Sequence, residues 1–89
     1  MVNVEEEQVF DFLHRFQEVL FEKINDKGNR AFINNHEGLG VVTEEYQELV
    51  EAVRSNKNGE IIDEYFDLMV SAAWGIISTY AQMKERDVA

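Results

Sequence analysis

At 89 residues the chain is long enough for one domain, residues 1–89, and short enough that burial against a second copy is expected to complete its core. It has no cysteine, which excludes disulfides, thiolate metal sites and a cysteine nucleophile, and no proline, which suits long uninterrupted helices. With 18 acidic and 8 basic residues, its net charge of −10 opposes nucleic-acid backbones and anionic membranes, and admits an anionic substrate only where metal or a local basic group reverses the sign.

Met1 is followed by the acidic Glu5, Glu6 and Glu7 rather than by a basic region and an apolar run, so a soluble, cytoplasmic protein is expected. Residues 5 to 27 read as a first helix. Val9, Phe12, Leu13, Phe16, Leu20 and Ile24 recur at helical spacing, and Phe10, Val19 and Phe21 widen that apolar stripe. The three glutamates favour the positive end of the helix dipole, and Lys23 and Lys27 favour the negative end. Gly28 is a suitable stop, and Asn29 to Ile33 reads as loop.

Two starts compete for the second helix. Asn34 and Glu37 form a box-like N-x-x-E opening, whereas Gly38 and Gly40 weaken the turn that follows and favour a start near Thr43. From either start, Val42, Tyr46, Leu49 and Val53 form the expected core stripe up to about Arg54. Glu45 and Glu48 fall at the edge of that stripe, near Val41 and Ala52. Glu44, Gln47, Glu51 and Arg54 face solvent. Ser55-Asn56-Lys57-Asn58-Gly59 then reads as a turn.

The third helix is expected from about Glu60 to Lys84. It is apolar nearly all the way round, from Ile61 to Met83, which predicts a central helix buried on several sides. Its one polar strip holds Glu64, Asp67, Ser71, Gly75 and Ser78. A membrane span needs ~20 predominantly apolar residues, and the uncharged run from Leu68 to Met83 is shorter and carries Ser71, Ser78, Thr79 and Gln82. Lys84-Glu85-Arg86-Asp87 reads as a solvated, frayed end. Three helices with wide apolar faces predict an all-α bundle, built around an antiparallel hairpin of the second and third helices and completed by oligomerisation.

The hairpin gives four acids a common address. Glu45 and Glu48, like Glu64 and Asp67, are spaced i and i+3, which sets each pair on one helix face. Folding the helices back to back turns the pairs towards each other, where they repel unless hard cations neutralise them. A lone E-x-x-E is common on solvated helix faces and means little. An acid pair on an otherwise apolar helix is different, because an unpaired carboxylate is costly to bury. Asp11 and His14 also share a face, but a di-iron bundle needs E-x-x-H motifs on two helices and no second exists, so His14 reads as a helix-face histidine. His36 reads as a helix-start residue. Phe12, Phe16 and Trp74 fit core positions better than base-stacking ones.

The stretch Thr43 to Val53, followed by Gly59 to Val70, resembles the MazG-like family of all-α nucleotide pyrophosphohydrolases, whose signature is E-x-x-E, a variable gap, then E-x-x-D. His36-Glu37-Gly38-Leu39-Gly40-Val41 is similar to the lead-in of short members. The resemblance implies that Glu45, Glu48, Glu64 and Asp67 are metal ligands and catalytic residues. They would hold Mg²⁺, with Mn²⁺ as a substitute, for cleavage of a nucleoside triphosphate between its α and β phosphates. It also implies a homodimer or homotetramer. Glu48 and Glu64, or the outlying Glu44 and Glu37, are the candidates to orient the attacking water. Basic and amide residues for phosphates and base are scarce: the third helix offers only Gln82, Lys84 and Arg86 near its end, and Arg54 and Lys57 lie by the turn. The alternative is a non-catalytic helical oligomerisation or regulatory module that retains the acidic face.

Overall fold

The computed structural model describes residues 1–88 of the chain. It is all-helical, with α1 at Glu6–Lys27, α2 at Asn35–Ser55 and α3 at Asn58–Val88. Gln8 Oε1 accepts the Glu5 backbone N–H at 2.9 Å and anchors the start of α1. Gly28 ends α1 with φ 85° and ψ −175°, a conformation open to glycine alone, while its N–H still donates to the Ile24 carbonyl at 2.8 Å.

Of the two starts for α2, the earlier one is adopted. The Asn34 side chain accepts the Glu37 N–H at 3.0 Å, and that cap outweighs the weakness of Gly38 and Gly40. Gly38 has a packing role as well. A Cβ there would sit 3.1 Å from Phe32 Cδ2, so the missing side chain lets the Phe32 ring lie against the helix.

Asn56, in the left-handed conformation at φ 58° and ψ 33°, closes α2 by donating its N–H to the Ala52 and Val53 carbonyls. The chain then re-enters helix at Asn58, so α2 and α3 are joined by a very tight turn. The other end of the hairpin is tied too. Phe32, just before α2, donates its N–H to Ser78 Oγ at 3.0 Å, and its carbonyl accepts from Gln82 Nε2 at 2.8 Å. With the start of α2 held to the far part of α3, the two helices run antiparallel. α1 packs against α3 rather than α2, with the Phe12 ring stacked 5.9 Å from Phe66 and 6.1 Å from Phe16.

Burial departs from the expected stripes. Among the described residues only Val19, Leu49 and Ala52 are buried apolar side chains. On α2, Leu49 is inside as expected, but Tyr46 is 57 % and Val53 50 % exposed. The reason is rotational: α2 turns the line Glu45, Leu49 and Ala52 inward, which swings Tyr46 and Val53 out. The first half of α1 is similarly uncovered at Val9, Phe10 and Leu13.

α3 is central in that both α1 and α2 pack on it, but the expected burial on several sides is not met within one chain. Its polar strip is what packs inward, with Ser71 7 % and Ser78 3 % exposed, whereas Ile76 and Tyr80 are 56 % and 67 % exposed. Ser71 Oγ satisfies itself on the Asp67 and Leu68 carbonyls at 2.9 and 3.0 Å. The expected frayed end is helical through Val88, and the last tie of α3 to the loop before α2 is made at Gln82. Among the described residues no helix is long and apolar enough to cross a membrane.

Candidate metal centre

Antiparallel pairing delivers the two acid pairs to one point. Glu45 and Glu48 project from the middle of α2, and Glu64 and Asp67 from the first half of α3. One carboxylate oxygen from each of the four lies within 4.8 Å of all the others. The tight turn sets this register: the Ser55 hydroxyl donates to the Ala52 carbonyl at 2.7 Å and lies 3.2 Å from the Glu60 carboxylate across the connection.

The electrostatics of the cluster are unfavourable as it stands. Burial raises the Glu45 carboxyl above its ordinary value of 4.5, and the charges of Glu48 and Asp67 push it further. Glu64 is raised in the same way, first by burial and then by the charges of Asp67 and Glu48. Glu45 Oε2 and Glu64 Oε2 are shielded from solvent and have no hydrogen-bond partner. A buried polar atom without a partner costs about 1–3 kcal/mol, and more when charged. Against a total stability of about 5–15 kcal/mol, two such oxygens in so small a chain call for a counter-charge.

A divalent cation fits that need. The donor set is all carboxylate oxygen, with no nitrogen or sulfur, which suits hard cations. Glu48 is the exposed member of the four and Glu45, Glu64 and Asp67 are half-buried, so the cluster is walled on one side and open on the other.

Beside it lies a cleft of about 510 Å³ with Glu45 and Asp67 in its wall. The same cleft is lined by Lys23 and Lys27 of α1, Arg30 of the following loop and Glu37 of α2. Those three cations were read from sequence only as dipole partners and loop, yet they fall within eight positions of an acidic chain. That clustering was the available signal. Lys57 instead pairs with Glu60 at 3.9 Å by the turn, away from the cleft.

The remaining candidates behave as ordinary helix residues. His14 Nε2 lies 2.9 Å from Glu18 Oε1 on the exposed face of α1, and among the described residues neither it nor Asp11 joins a cluster that could hold a metal. His36 and Glu44 are exposed, whereas Glu37 lines the cleft. Phe12 and Phe16 stack within the helix packing. Trp74 faces the cleft and donates its Nε1–H to the Arg30 carbonyl at 3.0 Å.

No family model, curated protein or solved structure matches the chain.

Proposed function

We propose that this chain is a Mg²⁺-dependent nucleoside triphosphate pyrophosphohydrolase of the MazG-like type, acting as a homodimer or homotetramer. The observation that carries the proposal is the convergence of Glu45, Glu48, Glu64 and Asp67 within 4.8 Å, with two buried oxygens left unpartnered. Mg²⁺, or Mn²⁺ in its place, would be held by those four acids. When bound it supplies Lewis-acid stabilisation of phosphoryl oxygens and lowers the pKa of coordinated water.

The chain's own residues supply the rest. The hairpin holds Glu45, Glu64 and Asp67 half-buried, so their positions are set before any ligand arrives. Glu48, the exposed member of the four, would accept a proton from an incoming water. Water adds across the α–β phosphoanhydride, giving a nucleoside monophosphate and pyrophosphate. Removal of surplus or non-standard (deoxy)nucleotides is the role this reaction suits.

A second reading, a non-catalytic helical oligomerisation module, is favoured by the apolar ridge left uncovered on α3. The two part on turnover. The test is pyrophosphate release from a panel of ribo- and deoxynucleoside triphosphates with Mg²⁺, alongside Glu45→Gln and Glu64→Gln. Release by the parent and its loss in both variants is the expected result. A folded, metal-loaded protein that turns over no nucleotide would move the assignment to the module, and orthophosphate as product would overturn the bond assignment.

A further inference from the structure

The cleft beside the acids concentrates opposite charge. Three of the chain's eight basic residues, Lys23, Lys27 and Arg30, line a space that Glu37, Glu45 and Asp67 also line. Complementing the α1 dipole explains Lys27 in the last turn. It does not explain why Arg30, beyond the helix, joins it in lining the same cleft. Lys23 is partly buried, and neither it nor Lys27 makes an ion pair with a described residue. Arg30 has only a long contact, Nη2 to Glu37 Oε1 at 3.9 Å.

The lining is also built rather than loose. The loop carrying Arg30 is fastened to α3 by Trp74 Nε1 on the Arg30 carbonyl and by Ser78 and Gln82 on the Phe32 backbone. α3 is the helix that carries Glu64 and Asp67, so the Arg30 backbone and the acids keep a fixed relation. In a chain of net charge −10 the three cations bring the cleft, which Glu37, Glu45 and Asp67 also line, to formal neutrality, and a metal held by the acids would leave the cations to face an anionic ligand.

We infer that this cleft is a polyphosphate seat, in which Lys23, Lys27 and Arg30 hold the β and γ phosphates of a nucleoside triphosphate and then the departing pyrophosphate. The inference rests on the proposed function. A volume of about 510 Å³ lies within the range of small-molecule sites. When the α–β bond breaks, its electron pair and negative charge pass to the pyrophosphate oxygen. Fixed cations there act where charge develops.

Trp74, the only tryptophan, lines the cleft and reports on it by fluorescence. The experiment titrates inorganic pyrophosphate at saturating Mg²⁺ into the parent, Lys23→Gln, Lys27→Gln and Lys23→Arg, with Mn²⁺ binding followed by spin resonance in each. Pyrophosphate should bind the parent and weaken about tenfold for each lysine lost. Lys23→Arg should restore binding, and Mn²⁺ affinity should be the same throughout. Equal pyrophosphate affinity in parent and glutamine variants, or none in a parent that binds Mn²⁺, overturns the seat and leaves the metal centre standing. A parent that binds no Mn²⁺ overturns the metal centre and the seat with it.

Discussion

Glu45 and Glu64 are the residues on which the metal centre can be tested without turnover. Each has a buried, unpartnered oxygen and a carboxyl raised by burial and neighbouring charge. Their effect should therefore change sign with metal. Without metal, Glu64→Gln removes a repelled charge and should stabilise the fold by about 1–3 kcal/mol. Mg²⁺ or Mn²⁺ should raise the parent's melting temperature, and Glu64→Gln should abolish that rise. A thermal melt series with chelator and with metal reads both, and a parent with no shift would count against the site. The same carboxyls set a pH dependence. A raised folded pKa means the folded state binds protons more tightly than the unfolded one. The resulting stability is present in full below the unfolded value and lost as pH rises through the folded values. Metal-free parent should thus gain stability over a Glu45→Gln/Glu64→Gln variant as pH falls from neutral towards 4.5, the ordinary value for both groups. Saturating Mg²⁺ should flatten the difference. Melting temperature against pH for the two proteins decides it.

The helices show where local rules suffice and where packing intervenes. Gly40 and Gly38 occupy the same first turns of α2, yet a Cβ at Gly40 meets nothing within 4 Å, whereas one at Gly38 meets the Phe32 ring at 3.1 Å. Gly40→Ala should stabilise by about 0.5–1 kcal/mol through helix propensity alone. Gly38→Ala should lose that gain by displacing Phe32, whose backbone bonds to Ser78 and Gln82 tie the loop to α3. Urea midpoints of the two variants separate the effects, and equal gains would refute the packing role of Gly38. The bounds of α1, the end of α2 and the two acid pairs were legible because caps, glycines and i, i+3 spacing are local in the chain. α3, by contrast, starts two residues before the expected Glu60 and runs on past Lys84 to Val88. Which side of each helix is covered was not legible. Periodicity identifies an apolar line on α2 but not the few tens of degrees of rotation that put Leu49 inside and Tyr46 and Val53 out. The cations of the cleft were hidden for a related reason: Lys23, Lys27 and Arg30 come to line one cleft with Glu45 and Asp67 only through the tertiary fold.

Taken whole, the chain is inside-out for a monomer. The faces that α2 and α3 turn to each other carry acids, serines and small residues, while Ile62, Tyr65, Ile76, Tyr80 and Met83 lie exposed along one side of α3. Among the described residues no large side chain is fully buried. The radius of gyration of 15.3 Å exceeds the about 12 Å of a compact chain this long. Burying apolar surface is the main favourable term in folding, at about 25 cal/mol per Å², and a lone chain arranged this way forgoes much of it. A second copy covering the α3 ridge would recover that term and place the acid clusters on a rigid frame. The protein should therefore sediment as a dimer or larger, with a melting temperature that rises with concentration. Ile76→Glu should weaken assembly and lower the melting temperature together, although a charge at a truly solvated helix position changes stability by no more than about 0.5 kcal/mol. Sedimentation equilibrium with melts over a hundredfold concentration range tests this. A parent that is monomeric, with a melting temperature independent of concentration and indifferent to Ile76→Glu, would mean that the exposed ridge is the surface of a marginal monomer.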